Sequence, residues 1–238
     1  NVNAQFFTFI FNQLQFSLEQ SQLIDQALYL NNKTTDYSIA RDGGILDVIG
    51  TDIVYWRGAG VGSSEKDTMV ADVCAAKNIP CQTLSQGAVL QFGEVTMTVL
   101  WPTEDATKYL VPAADINDKS MVFRLDFQEH SSLFPADLYV AGEGMLLDAT
   151  DAALLDVDFL KVPHHGHATS SSAKFLAAVS PELSVAMARV PITQNLRLAY
   201  QVAGSTLLYD LVNGYIHVTA AADGTMEYTT TRNHDPMR

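Results

Sequence analysis

The chain has 238 residues, 47% of them hydrophobic, which predicts a single domain with a substantial core and excludes a largely disordered protein. Its 27 acidic and 14 basic residues give a net charge of −13. That charge argues against tight binding to nucleic-acid phosphates and favours cationic partners. No stretch reaches the ~18–20 uninterrupted apolar residues of a membrane helix, so no membrane span is predicted.

The first predicted element is the run at 6–11, with the sequence FFTFIF. It combines high strand propensity with the absence of charge and proline. Apolar runs of this length are usually core strands, and a core strand is the favoured interpretation. The alternative is an exposed edge that pairs with another copy, so the run also makes self-association a prediction. No basic region precedes the run, which therefore does not match an intact signal peptide.

The two cysteines flank the end of a predicted helix. Residues 69–77 have helical character, the segment 78–80 ends with a proline, and Cys81 opens the next segment. A helix that folds back onto a following strand can bring two Cα atoms within the ~4.4–6.8 Å that a disulfide spans. The sequence therefore predicts a disulfide between Cys74 and Cys81, and two buried free thiols are the alternative.

Three features favour an extracellular or secreted protein. A disulfide implies an oxidising compartment. The segment 32–34, with the sequence NKT, is a glycosylation sequon, which has meaning in a secreted eukaryotic protein. The first residue is Asn1 and not an initiator methionine, which is compatible with processing. The predicted localisation is therefore extracellular.

The middle of the chain alternates between predicted strands and helices. Apolar side chains recur at every second position in 92–101 and again in 121–127, which indicates two half-buried strands. Residues 142–155 predict a short helix or helical turn. A further helix is predicted at 172–179, because serines that suit an N-cap precede it and a proline closes it. This alternation predicts an α/β fold.

Two turn signals mark the C-terminal part of the chain. The pair Asn213-Gly214 separates the apolar runs 207–209 and 215–218, which is typical of a tight hairpin. The pair Asp223-Gly224 indicates a second hairpin before 226–228. The sequence therefore predicts a meander of three antiparallel strands.

Three of the six histidines, His164, His165 and His167, fall within four residues directly after the run 160–162. Neutral imidazole is a common metal ligand, and the end of a strand holds side chains rigidly. The alternative is a polar turn whose histidines bond to neighbouring backbone. The residues alone leave both interpretations open.

The serines at 170–172 allow a second chemical interpretation. A serine beside His167 could act as a nucleophile with histidine as its base. Capping of the following helix explains these serines better, because serine is among the preferred N-cap residues.

Several ordered motifs resemble those of a known family. The strand and histidine run at 160–167 is followed by a helix that ends in AVSP. The segments upstream resemble the family's other motifs and occur in the same order along the chain. These segments are 99–102 (VLWP), 117–125 (NDKSMVFRL), 133–138 (LFPADL), 160–167 (LKVPHHGH) and 172–181 (SAKFLAAVSP). Over about residues 42–230 the chain resembles the metallo-β-lactamase-fold hydrolases, most of all their competence-related, DNA-internalisation type.

The resemblance implies a fold, a chemistry and a set of ligands. The fold is an αββα sandwich, with one domain over 1–238 and a divergent or truncated N-terminal part at 1–41. The chemistry is attack by a metal-bound hydroxide, commonly on zinc, upon an ester, amide or phosphodiester. Asp137 would bridge the metals and His164 would be a ligand, so the resemblance makes these two the catalytic candidates.

The chain departs from the family at its main metal motif, His-x-His-x-Asp-His. The matching positions carry Asp36, Ser38, Ala40 and Arg41, and no histidine precedes His130. Serine and alanine offer a divalent metal little, and arginine stays protonated and repels it. The later Gly-His-Pro of the family falls near 189–191, where no histidine occurs.

The remaining candidate metal ligands are Asp137, His164, His165 and His167. They are too few for the two-metal centre of the family, so we expect zinc to bind weakly or not at all. Two functions stay open. One is a metal-dependent hydrolase, and the other is a degenerate member retained for binding or self-assembly.

Overall fold

The computed structural model describes residues 6–10, 53–56, 65–105, 116–188, 190–221 and 225–232. Within these ranges the strands are β1 Phe6–Ile10, β2 Val54–Trp56, β3 Cys81–Thr83, β4 Val89–Phe92, β5 Val95–Trp101, β6 Val122–Phe127, β7 His130–Phe134, β8 Phe159–Lys161, β9 Leu183–Ala186, β10 Thr206–Tyr209, β11 Ile216–Ala221 and β12 Met226–Thr230. The helices are α1 Glu65–Lys77, α2 Val140–Ala149, α3 Ala152–Leu155, α4 Ala173–Val179, α5 Gln194–Val202 and α6 Asp210–Asn213, with 3-10 turns at Ile116–Lys119 and Pro163–Gly166. No helix in the described ranges has the length and apolar character needed to cross a membrane.

Seven strands form a large mixed sheet, in the order β10-β9-β8-β7-β6-β5-β4. Neighbours from β4 to β7 are antiparallel, whereas neighbours from β7 to β10 are parallel. Parallel neighbours need a crossover connection, and α2 to α5 lie in the three crossovers. The carboxyl ends of β7, β8, β9 and β10 therefore lie at the same edge of the sheet, which is where α/β sheets commonly place a functional site.

Two smaller sheets complete the described strands. The strands β1, β11 and β12 form a three-stranded antiparallel sheet with β11 in the middle. The strands β2 and β3 pair in parallel through the crossover that contains α1.

The buried side chains show how these sheets and helices are layered. One face of the large sheet packs against Tyr55 of β2 and against Ile216 and Val218 of β11. The opposite face packs against α2 to α5 through a second apolar cluster that includes Phe175 and Tyr200. Since neighbouring residues of a strand face opposite sides, β2 turns Tyr55 to the large sheet and Val54 to Cys74 of α1. The order of layers is helix, sheet, sheet, helices, which confirms the predicted α/β sandwich.

The predicted central elements are confirmed with refined boundaries. The strand expected at 92–101 begins with the last residue of β4, and β5 follows after a turn at Gly93, whose φ is +59°. The helix expected at 142–155 is divided into α2 and α3, because Asp151 caps α3 by accepting a hydrogen bond from the Ala153 amide. Ser172 caps α4 by accepting one from the Phe175 amide at 3.2 Å, as its sequence predicts.

The first hairpin of the predicted C-terminal meander is wrong, whereas the pairing of its second hairpin is confirmed, because β11 and β12 are antiparallel neighbours. The segment at 207–209 belongs to β10, which pairs in parallel with β9, while β11 belongs to the three-stranded sheet and pairs with β1 and β12. Between them, Asp210–Asn213 forms the short helix α6, and the Asn213 side chain accepts a hydrogen bond from the Tyr209 amide at 3.0 Å. The Asn-Gly pair therefore lies in the connection between the large sheet and the three-stranded sheet and does not form a hairpin turn. The second predicted turn, at 223–224, lies outside the described residues.

Candidate functional site

The sheet edge after β7 and β8 gathers most of the predicted site residues. Asp137 follows β7, and the histidines follow β8, its parallel neighbour, so their side chains meet at one edge. The backbone joins the two segments directly, because the His164 amide donates a hydrogen bond to the Ala136 carbonyl at 3.0 Å. At this edge the histidines divide into two clusters.

The inner cluster consists of Asp137, Lys161 and His165. His165 Nδ1 lies 2.9 Å from the Met187 carbonyl oxygen, and since a carbonyl only accepts, Nδ1 carries the hydrogen. His165 Nε2 then lies 3.5 Å from Asp137 Oδ1, which is buried and accepts no hydrogen bond from the described part of the chain. Two acceptor atoms face each other there, so a proton on Nε2 or a cation between the atoms would stabilise the pair.

Lys161 supplies a positive charge to the inner cluster. Its Nζ donates a hydrogen bond to the Ala136 carbonyl at 3.0 Å and lies 3.9 Å from Asp137 Oδ1. Burial lowers the pKa of the Lys161 ammonium, and the Asp137 carboxylate raises it again. The ammonium therefore partly balances the buried carboxylate without bonding to it directly.

The outer cluster consists of His164, His167 and Thr169. The Thr169 Oγ1 lies 2.8 Å from His164 Nδ1 and 3.3 Å from His167 Nδ1. The two imidazole centroids are 5.1 Å apart, and the Tyr139 ring covers His164 at 4.8 Å. Burial lowers the pKa of the His164 imidazole, and the Asp137 carboxylate opposes that shift. His167 and Thr169 are exposed, whereas His164 is half-buried.

The backbone of the loop explains why adjacent histidines enter different clusters. His164 and His165 have φ values of +45° and +55°, in the left-handed region that residues other than glycine seldom adopt. Gly166 follows with a φ of +75°, and a Cβ at that position would lie 2.8 Å from Ile192 Cδ1. Left-handed φ values at residues other than glycine raise the conformational free energy of the loop, and they persist where the surrounding structure fixes the backbone.

A buried carboxylate that sequence reasoning missed anchors the end of this loop. Glu143 of α2 is fully buried and accepts hydrogen bonds from the amides of Ser171 and Ser172, the latter at 2.8 Å. Burial raises the pKa of this carboxyl group, while the two amide bonds lower it. The helical pattern at 142–155 carries no signal for this role, since the partners lie 28 and 29 residues further along the chain.

The serines beside the histidines all have structural partners. Ser170 Oγ donates to the Leu138 carbonyl at 2.7 Å, and Ser171 Oγ bonds to the Tyr200 hydroxyl at 2.8 Å. Ser172 is the N-cap of α4. The predicted capping is confirmed for Ser172, whereas Ser170 and Ser171 bond to other partners, and the hydroxyl that faces the imidazoles belongs to Thr169.

The predicted disulfide is not found: Cys74 and Cys81 are free thiols. The predicted approach of the two residues does occur, because the Cys74 and Cys81 thiols share a side-chain hydrogen bond. Burial and, after it, the neighbouring Cys81 raise the pKa of the Cys74 thiol to about 12. A thiol held in this way resists forming the thiolate that disulfide exchange requires.

The described residues do not fit a two-metal centre. No group of three or more His, Cys, Asp or Glu side chains within them is arranged to hold a metal ion. Asp137 meets His165 and not His164 directly, and His164 and His167 converge on Thr169 instead. The motif positions 36–41, together with Arg189, lie outside the described residues.

No protein-family model matches the chain, and no curated protein does. Among solved structures it is similar to CmlA, a diiron β-hydroxylase from Streptomyces venezuelae, with 12% sequence identity and a TM-score of 0.40. The match covers 66% of this chain and 38% of that chain, so this chain spans well under half of the length of CmlA. The assignment of the αββα fold rests on the strands and layers of this chain itself.

Proposed function

We propose that this chain is a degenerate metallo-β-lactamase-like protein that has lost two-metal hydrolysis and acts by binding. The ordered motifs between 99 and 181 support the family resemblance, and the αββα layering agrees with it. The substitutions at Ser38, Ala40 and Arg41 support the loss of metal ligands.

The observation that carries the proposal is the small number of donors around Asp137. A catalytic zinc takes about three protein ligands and a water. Among the described residues Asp137 Oδ1 has one imidazole within reach, His165 Nε2 at 3.5 Å, and the nearby ammonium of Lys161 repels a cation. Two donors beside a positive charge do not support a metal-bound hydroxide, so hydrolysis of esters, amides or phosphodiesters is not expected from this edge.

Elemental analysis tests the proposal, with hydrolysis assays on the zinc-loaded protein. We expect fewer than two ions per chain and the same background turnover in the wild type and in Asp137→Asn. The matched control is Asp148→Asn, which changes an exposed carboxylate of α2. Two tightly held ions per chain, with turnover that Asp137→Asn removes and Asp148→Asn keeps, would restore the hydrolase.

The position of β1 favours self-assembly as a second candidate function. Among the described strands β1 lies at the edge of the three-stranded sheet, with β11 on its one paired side. An edge strand is a template for pairing with another chain. Light scattering of the wild type, Phe7→Lys and Phe9→Lys tests this. Assembly predicts an oligomer that one substitution dissociates while the monomer stays folded, and a strictly monomeric wild type at high concentration excludes it.

A further inference from the structure

We propose that His164, His167 and Thr169 form a surface site for one divalent transition-metal ion. Of the ions of this class, Cu²⁺ binds most tightly. The site lies apart from the Asp137–His165 pair. It stands independently of the proposed loss of hydrolysis, because none of its three residues belongs to the inner cluster.

The convergence of three donor atoms is the first observation. Thr169 Oγ1 lies 2.8 Å from one Nδ1 and 3.3 Å from the other. Two atoms that bind one ion at about 2.1 Å, roughly at right angles, are separated by about 3 Å. These hydrogen-bond distances equal the spacing of neighbouring ligands, so an ion that replaces the two hydrogen bonds can be held with small movements of the rings.

The spacing of the imidazoles is the second observation. Their centroids are 5.1 Å apart, with 46° between the ring planes. Two imidazoles that bind one ion at about 2.1 Å have centroids about 4.5 Å apart at the right angle that Cu²⁺ prefers and about 5 Å apart at a tetrahedral angle. His164 and His165, by contrast, have centroids 6.4 Å apart, so that pair would share an ion only in a nearly linear arrangement.

The held backbone of the loop is the third observation. The His164 amide bonds to the Ala136 carbonyl, the His167 amide bonds to the His164 carbonyl at 2.9 Å, and the Ser170 amide bonds to the His167 carbonyl at 3.2 Å. Together with the left-handed φ of His164, these bonds fix the loop before any ligand arrives. Strained backbone of this kind is concentrated at functional sites, and a preorganised site loses less entropy on binding.

The chemistry of the donors selects the class of ion. Imidazole nitrogen suits Cu²⁺, Ni²⁺ and Zn²⁺, whereas Mg²⁺ and Ca²⁺ require several oxygen ligands. The Irving–Williams order then places Cu²⁺ above Zn²⁺ and Ni²⁺. Water completes the coordination, because His167 and Thr169 are exposed.

Isothermal titration of the full chain with CuCl₂ tests the site, and electron paramagnetic resonance counts the bound nitrogens. We expect one Cu²⁺ per chain with two imidazole nitrogens, and a loss of affinity of about tenfold or more in His167→Ala. Thr169→Val keeps the shape of the side chain and should weaken binding less. His217→Ala, on β11, is the matched control and should change affinity by no more than about twofold.

Asp137→Asn distinguishes Cu²⁺ binding at the outer cluster from binding at the inner cluster, since it removes the inner carboxylate and leaves the outer donor atoms. Because the Asp137 carboxylate acts on His164 through its charge, Asp137→Asn should weaken Cu²⁺ binding, but by less than His167→Ala does. Three results would overturn the inference: no Cu²⁺ binding by the wild type, unchanged binding in His167→Ala, or a greater loss of binding in Asp137→Asn than in His167→Ala. The failure of the proposed function is a different result, namely two tightly held zinc ions per chain with hydrolysis that depends on Asp137.

Discussion

The inner and outer clusters start from adjacent histidines and differ in almost every physical respect. The inner one contains a buried carboxylate beside a buried ammonium, whereas the outer one consists of two imidazoles and a hydroxyl, and its His167 and Thr169 are exposed. His164 and His165 both have left-handed backbone, and their rings bond to different partners, Thr169 and the Met187 carbonyl. The loop therefore turns one sequence motif into two sites with different chemistry.

Removal of the inner ammonium has the largest expected effect on stability. Lys161→Met leaves the buried Asp137 carboxylate without its nearest positive charge, which should lower the free energy of unfolding by about 3 kcal/mol. Urea unfolding measures the change. The matched control is Lys174→Met, an exposed lysine of α4, which should change stability by less than about 0.5 kcal/mol. Equal effects of the two substitutions would show that the inner cluster carries no charge dependence.

The backbone that separates the clusters gives the second prediction. Gly166→Ala places a Cβ at a φ of +75° and 2.8 Å from Ile192, so the free energy of unfolding should fall by about 2 kcal/mol. Gly144→Ala is the matched control in α2, where the new Cβ meets nothing within 4 Å. Alanine is the better helix former, so this control should be neutral or stabilising by up to about 1 kcal/mol. A Gly166→Ala protein as stable as the wild type would refute the strained loop.

The anchor of the loop gives a smaller effect that depends on pH. The folded state holds the Glu143 proton more tightly than the unfolded state does, because burial raises its pKa. The contribution of this ionisable group is therefore greatest below its unfolded pKa, about 4.3, and falls as pH rises through the folded value. Relative to Glu143→Gln, the wild type should lose stability from pH 4 to neutral pH, which urea unfolding at several pH values measures. The exposed Glu182→Gln is the matched control, and a constant difference across this range would contradict the assigned shift.

The cysteine pair gives the smallest effect, since it lies away from both clusters. Titration of the denatured, unreduced protein should detect two thiols per chain. Cys81→Ser should change the free energy of unfolding by less than about 0.5 kcal/mol, because Cys81 is exposed. Detection of no thiol would show that the two sulfurs are bridged in the native protein.

Local patterns predicted much of the fold, and contacts between distant segments account for the rest. The period-two runs of β5 and β6 and the Ser172 cap depend on neighbours in sequence, and each is confirmed. The Asn213-Gly214 pair gave a wrong hairpin prediction, because the Asn213 side chain bonds to the Tyr209 amide in a connection between two sheets. A turn signal in the sequence does not reveal which sheet the preceding strand joins.

The candidate site was predicted as a set of residues but not as an arrangement. The sequence identified Asp137 and the three histidines, and the parallel pairing of β7 and β8 brings them to one edge. Their division into two clusters accompanies the left-handed φ values of His164 and His165. The amino-acid sequence around the two histidines does not specify these backbone angles. Glu143 was missed because its importance comes from the amides of Ser171 and Ser172, which helical periodicity does not report.

The central claim is that His164 and His167 share one site while His165 belongs to another. Nuclear magnetic resonance of the ¹⁵N-labelled imidazoles during a Zn²⁺ titration tests it most directly. The account predicts that the Nδ1 signals of His164 and His167 shift together and saturate at no more than one ion per chain, while the hydrogen on His165 Nδ1 stays in place. A shift of His165 Nε2 that saturates with two ions per chain would contradict it.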